Sequence, residues 1–323
     1  MTYDRQNLAV LITVDTEVWC DGWRNIDAKF SGAFTKYIYG STRNGDYGLP
    51  FQLKILNEYG LKAVFFVEPL FALRFGMSPL QEIIGLIQET GQRVELHLHT
   101  EWVDESRTPV FPDIREKRQH ITNFALDEQE QLIRKGIELL LSAGANDLHA
   151  FRAGSFAASN QTLQALAKTP IRIDSSLNPV APPCEIESGK KQIQVHEING
   201  VLEVPMTVFQ DGVGRRRHAQ LAACSFAEIK SALNAAYRIG WAHFVLLSHS
   251  FELLNSRRTS RDPIVVRRFL KLCKYLARNA NRFSTIDFSS ESLISYPGTP
   301  SPLRVGIGDT VGRYAGQILS RLS

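Results

Sequence analysis

The chain has 323 residues, 44% of them hydrophobic and 22% charged, with a formal net charge of +4. This length suits two small domains or one large α/β barrel, and the ordinary globular balance excludes a disordered, low-complexity or fixed-period repeat protein. So small a charge gives no argument for nucleic acid as a partner, and no apolar run approaches the roughly 20 residues that span a bilayer.

The N-terminal MTYDRQN enters an apolar run directly, without the basic and apolar regions of a secretory leader. Cys20, Cys184, Cys224 and Cys273 are scattered without metal-type spacing and read as reduced thiols. Together these predict a soluble, cytoplasmic protein with no membrane insertion. Leu8 to Val14 is nearly continuously apolar, as for a strand buried on both faces, and it ends in Asp15, Thr16 and Glu17. A polar and aromatic stretch then reads as a loop reaching Gly45 and Gly48. Leu49, Leu53, Ile55 and Leu56 predict a helix over residues 49–59, stopped by Gly60. Ala63 to Val67 is a second strand, Pro79 to Glu89 a helix closed by Gly91, and Val94 to Leu98 a third strand. This alternation predicts parallel βα units.

The rhythm continues with a helix over Asp127 to Ser142, a strand at His149 to Phe151, a helix N-capped by Asn160, and a strand at Ile171 to Asp174. Ile193 to Ile198 and Val201 to Val204 flank Asn199-Gly200, a two-residue hairpin signal that interrupts the βα pattern, and Pro205 ends its second arm. Ser225 caps a helix through Ile239, Phe244 to Leu247 is a buried strand, Pro263 to Asn279 a basic helix, and Phe283 to Ile286 the final strand. No glycine-rich dinucleotide turn follows the first strand. Six to eight parallel strands with intervening helices therefore predict a closed barrel over residues 1–295, with residues 296–323 as a C-terminal tail.

Two strand ends carry ionisable residues at two-residue spacing: Asp15 and Glu17 on the first, His97 and His99 on the third. Alternation along a strand points both members of each pair the same way, and in a parallel barrel reactive groups gather at the C-terminal mouth. Two imidazoles and a carboxylate converging there form a three-ligand site for a divalent metal. Asp15 is then placed to take a proton from an attacking water, and Arg152, following the His149 to Phe151 strand, to keep Asp15 ionised. His249, after the apolar FVLL run, is placed to protonate a leaving amine. Arg257, Arg258 and Arg261 lie on the loop leaving that strand and are expected to bind an anionic group of the substrate. A second basic cluster, Arg215 to Arg217, reads as solvated surface.

The order of these motifs resembles carbohydrate esterase family 4, the NodB-like polysaccharide deacetylases. The resemblance rests on TVDTE, YGLKAVFFV, RVELHLHTEW, FRAGSF, IRIDSSLNP and VLLSHSFE, in that order from about residue 8 to 290. It implies an irregular (β/α)7 barrel, and a hydrolase that removes acetyl or formyl groups from amide nitrogens with zinc or a similar metal. By position it places Asp15 on the catalytic base, His249 on the catalytic acid, Arg152 on the residue that orients the base, and His99 on the first metal histidine. Thr16 stands where the family has a second Asp, so that ligand role passes to Glu17. Val103 replaces the second histidine, with His97 the nearby substitute, and the proline and tyrosine that usually follow the arginine are absent. The pattern is similar to a divergent, WbmS-like branch found with surface-polysaccharide biosynthesis proteins.

The expected substrate is accordingly an acetamido sugar, anionic or linked to a nucleotide or lipid. The alternatives are a degenerate deacetylase barrel that only binds glycan, and a metal-dependent amidohydrolase or phosphoesterase. The latter classes usually carry HxH on the first strand, whereas here it ends the third.

Overall fold

The computed structural model describes residues 7–112, 117–188, 193–288, 293 and 301–322, with side chains as far as residue 314. β1 (Leu8–Thr16) leads through α1 (Ile26–Phe34), a π-helical turn (Thr35–Tyr39) and the short strands β2 (Ser41–Thr42) and β3 (Gly45–Asp46) to α2 (Leu49–Glu58). Then come β4 (Val64–Val67), α3 (Ala72–Phe75), α4 (Ser78–Glu89), β5 (Arg93–Leu98), α5 (Leu126–Ser142), β6 (Ala150–Ala153), α6 (Asn160–Ala167) and β7 (Ile173–Asp174). The hairpin β8 (His196–Ile198) and β9 (Val201–Glu203) is followed by β10 (Val208–Gln210), β11 (Arg216–His218), α7 (Phe226–Arg238), β12 (His243–His249), α8 (Pro263–Arg278) and β13 (Phe283–Thr285). The chain closes with β14 (Leu303–Arg304) and α9 (Ile307–Leu322).

The main sheet runs β12-β1-β4-β5-β6-β7-β9-β8, parallel throughout except for the β8–β9 hairpin at its edge. β13 adds to the start of β1, beside the place where β4 takes over the same edge. The sheet curls into a half-barrel, the (β/α)7 architecture in open form. The expected full closure is absent: β12 and β8 are not paired to each other, and the chain after β9 spans the opening instead. Val245 N donates to Thr207 Oγ1 at 2.8 Å, and Leu247 exchanges backbone hydrogen bonds with Ala219 and Leu221.

The strands are apolar on both faces because one face meets the helices and the other lines the interior. On β1, Val10, Ile12 and Val14 pack toward the helices, while Leu11 joins Val64, Phe66, Val245 and Leu247 inside. Truncating a buried ring such as Phe66 to Ala costs about 3–5 kcal/mol. The same alternation carries the interior face upward. Leu11 is followed by Thr13, Asp15 and Glu17, Val245 and Leu247 by His249, Ala150 by Arg152, and Glu95 by His97 and His99. The interior is thus mostly apolar at the base, where Glu95 is satisfied by the amides of His149 and Ala150, and ionisable at the C-terminal mouth.

Several expectations need correction. Arg152 lies inside β6 rather than after a strand, because the strand runs from Ala150 through Ala153. Ser159, whose hydroxyl accepts from Thr162 N, caps α6, and Asn160 is its first helical residue. The Asn199-Gly200 turn does form, with φ of 54° and 78°, but β9 continues the parallel sheet beside β7 rather than interrupting it. The stretch before Gly45 contains α1, whose Ile26, Phe30, Ala33 and Phe34 bury one face. Phe30 stacks on Phe75 with ring centres 3.7 Å apart. The C-terminal segment is tied to the body by the β14–β10 pairing.

Candidate active site

Arg152 organises the mouth. It is fully buried, and its Nη1 donates to Asp15 Oδ1 at 2.6 Å and to Thr13 Oγ1 at 3.0 Å. Its Nε donates to Ser175 O and its Nη2 to Ser175 Oγ, both at 3.1 Å, and the Phe66 ring covers the guanidinium at 4.2 Å. Ser175 Oγ in turn donates to Val204 O, and Ser176 Oγ to Asp174 Oδ1 while accepting from Ala153 N. The Asp-Ser-Ser segment after β7 is therefore the cradle of the arginine. A buried guanidinium–carboxylate pair of this kind is rigid because every donor is directed, and breaking it costs about 3–5 kcal/mol.

Asp15 faces His249 across the parallel ladder, the two being register partners. The end of β12 is held by Gln52 of α2, whose Nε2 donates to His249 O and Ser250 O, both at 2.9 Å, and by Ser250 N donating to Asp15 O at 3.0 Å. His249 Nδ1 lies 3.6 Å from Glu252 Oε1, an ion-pair distance rather than a hydrogen bond. Burial alone would lower the His249 pKa, but Glu252, with Glu17 and Asp15 behind it, raises it to about 9.

Glu17, His97 and His99 come together, each buried, with one ligand atom of each within 4.8 Å of the others. His97 Nδ1 is 2.8 Å from Arg152 O, a carbonyl that only accepts, so this nitrogen carries the proton. His99 Nδ1 lies 3.3 Å from Glu101 Oε2 and is fixed the same way. Both Nε2 lone pairs then face Glu17 Oε2, at 3.7 Å and 2.6 Å, and no hydrogen bond is directed at that oxygen. Lone pairs aimed at a carboxylate require a cation between them: a metal ion or an added proton. Without an ion the proton wins. Burial opposes charge on both groups, yet the histidines hold Glu17 well below its usual range, and Glu17 and Glu101 hold His99 well above its own. The donor set and the outward Nδ1 bonds fit a divalent metal.

Four further residues shape this corner without a signal strong enough to be read in sequence. A Cβ on Gly154 would lie 2.7 Å from both His99 Nδ1 and Leu98 O, so only glycine lets the chain leaving β6 pass the His99 ring. Trp19 meets His99 edge-on at 4.7 Å, and Trp23 packs against Trp102 at 4.9 Å, forming an aromatic wall beside the site. Val103, in the place of the family's second histidine, is buried in the core. Of the three arginines expected at the rim, Arg258 is drawn to the site. Its guanidinium stacks on Tyr37 and Phe251, each at 4.6 Å, and Phe251 lies 5.3 Å from the His249 ring. Arg261 donates instead to Tyr47 Oη at 2.9 Å, and Arg257 is exposed.

The architecture is that of an α/β barrel with its ionisable groups gathered at the C-terminal mouth. No family model matches the chain, and no curated protein matches it. A Mycobacterium smegmatis protein assigned as a polysaccharide deacetylase superposes with a TM-score of 0.59 at 17% identity, over 91% of this chain and 96% of its own. A family 4 carbohydrate esterase from Streptomyces lividans gives 0.45 at 14% identity over 93% and 99%. BA3943, a pseudoenzyme of carbohydrate esterase family 4 from Bacillus anthracis, gives 0.43 at 12% over 93% and 70%. The chain has the NodB-like fold of the polysaccharide deacetylases. Among the described residues, no helix is long and apolar enough to cross a membrane.

Proposed function

We propose that the chain is a metal-dependent hydrolase that removes an N-acetyl or similar acyl group from an amino sugar. One observation carries this reading: a buried Glu17–His97–His99 cluster sits beside an arginine-held Asp15 that faces His249. Glu17, His97 and His99 hold the ion, zinc being favoured by the two nitrogen donors. When bound, it supplies Lewis acidity toward the acyl oxygen and the attacking water. Asp15 accepts the water's proton, and Arg152 holds its carboxylate aimed at the site. His249, with its pKa raised to about 9, is protonated at neutral pH and donates to the departing amine. The half-buried faces of Trp19 and Trp23 suit a sugar ring. Arg258 is the rim arginine best situated for an anionic substituent, which favours an activated or uronic-acid-containing precursor of a surface polysaccharide.

Metal content and turnover on N-acetylated amino sugars test the reading together. His99→Ala should lose most bound metal, and Asp15→Asn should retain metal while losing turnover. A wild-type protein that binds no divalent metal would overturn the proposal in favour of a degenerate glycan-binding barrel, the reading that the loss of a histidine at Val103 supports. A metal-loaded protein that cleaves phosphate esters but not acetamides would place it in another hydrolase class.

A further inference from the structure

Away from the mouth, α9 presents an apolar stripe to solvent. Ile307 is 65% exposed, Val311 60% and Tyr314 37%, at positions i, i+4 and i+7 along one side of the helix, while Thr310 and Arg313, which turn toward the body on the flank beyond Tyr314, are buried. The turn between β10 and β11 abuts the start of this helix. Gly212 N donates to Thr310 Oγ1 at 2.8 Å, and a Cβ on Gly212 would fall 2.3 Å from Ile307 Cα. The next residue, Val213, is 53% exposed, so the stripe and the turn form one surface. These four side chains are most of the large hydrophobics exposed among the described residues, and soluble proteins do not gather them in one place without use.

The charge around the stripe is predominantly positive. Arg215 and Arg216 extend from the turn, both exposed and without an ion pair among the described residues. On the other side, a groove of about 580 Å³ between α7 and β14 is lined by Lys230, Arg238 and Arg304, with Asp309 the one acid among its lining residues. Asp309 accepts from Ser231 Oγ at 2.7 Å, and the buried Asp211 and Glu228 bond Arg313 at 2.8 and 3.0 Å, so the exposed cations Arg215, Arg216, Lys230, Arg238 and Arg304 outnumber the acids around the stripe. Exposed aliphatic side chains with a predominantly cationic margin match an anionic bilayer surface, whose headgroups pair with arginine while its acyl boundary accepts the apolar stripe.

We infer that the α9 face and the β10–β11 turn form a peripheral docking surface for an anionic membrane. Val213, Ile307, Val311 and Tyr314 enter the headgroup boundary, and Arg215, Arg216, Arg304 and the groove lysine and arginine lie against the lipid phosphates. This surface is separate from the catalytic reading and does not depend on it.

Flotation of the full chain with phosphatidylglycerol-containing vesicles, compared with pure phosphatidylcholine vesicles at low and high salt, tests the inference. The wild-type protein should float with the anionic vesicles at low salt, and Ile307→Ser with Val311→Ser, and separately Arg215→Gln with Arg216→Gln, should each weaken partitioning about tenfold or more. The substituted side chains are exposed, so both variants should keep the wild-type melting temperature. No flotation with anionic vesicles, or flotation undiminished in the folded serine variant, would overturn it. Self-association that the serine variant abolishes, with no vesicle binding, would assign the face to a second copy of the chain instead.

Discussion

The proton inventory of the site depends on a few side chains whose partners are fixed. Glu252 sits one helical step beyond His249 in sequence, with its Oε1 also accepting from Gln220 Nε2 at 2.6 Å, so its charge is held in place. The His249 pKa is raised from 6.5 to about 9, and a raised histidine stabilises the fold fully below 6.5 and loses that contribution as pH rises through about 9. Activity should follow the same group. A general acid must be protonated, so the rate should fall on the alkaline side near pH 9. Glu252→Gln should move that limb downward toward the ordinary histidine range while leaving metal content unchanged. A kcat/KM profile with the limb in the same place in both proteins would detach Glu252 from the acid. Asp15, Glu17, His97, His99, Arg152 and His249 could all be picked out in the sequence because strand alternation and chemical type together single them out. Gln52, Glu101, Ser175 and Glu252 could not, since each acts by holding another residue through a contact that only the folded chain brings about.

At the scale of elements, the strand ends were readable and the connections were not. A buried parallel strand advertises itself as an apolar run, and its two-residue period carries the ionisable pairs to one face without any knowledge of neighbours. α1 escapes that kind of reading because its apolar residues are interleaved with Asp27, Lys29 and Ser31, and a π-helical turn follows it directly. The sequence suggests a strand at His149 to Phe151 with Arg152 just after it, one residue earlier than β6 begins, because an arginine is rarely fully buried in a strand. In fact its charge is buried because Asp15 pairs with it. The tight passage of β6 beside β5 gives a direct test. Gly154→Ala puts a methyl group against Leu98 O, which is backbone and cannot yield, and against His99 Nδ1. The imidazole must move off its bond to Glu101, and losing such an outer contact weakens metal binding roughly 10- to 100-fold. Titration with zinc should show that loss with little change in far-ultraviolet circular dichroism. Unchanged affinity would mean that His99 does not depend on its present orientation.

For the whole molecule, the C-terminal segment is more than an appendage. Its Pro-, Gly- and Ser-rich start resembles a linker in composition, and the sequence alone has no way to reveal that a later arginine is paired. Arg313 of α9 is 3% exposed, its Nη2 donating to Asp211 Oδ2 and its Nε to Glu228 Oε1. Glu228 also accepts from Ser225 N in the capping box at the start of α7, and Asp211 accepts from the amides of Val213 and Arg215 in the β10–β11 turn. One guanidinium therefore joins α9 to α7 and to the small sheet of β10, β11 and β14. Arg313→Ala leaves two buried carboxylates without their counter-charge, and removing one partner from a buried ionic network costs about 3–5 kcal/mol. Urea unfolding should show that loss in the midpoint. Arg313→Lys keeps the charge but not the forked geometry and should recover only part of it. Asp211→Asn with Glu228→Gln in the Arg313→Ala background removes the stranded charges and should restore stability relative to Arg313→Ala alone. An Arg313→Ala protein as stable as wild type would show that this buried ionic junction does not help hold α9 to the body.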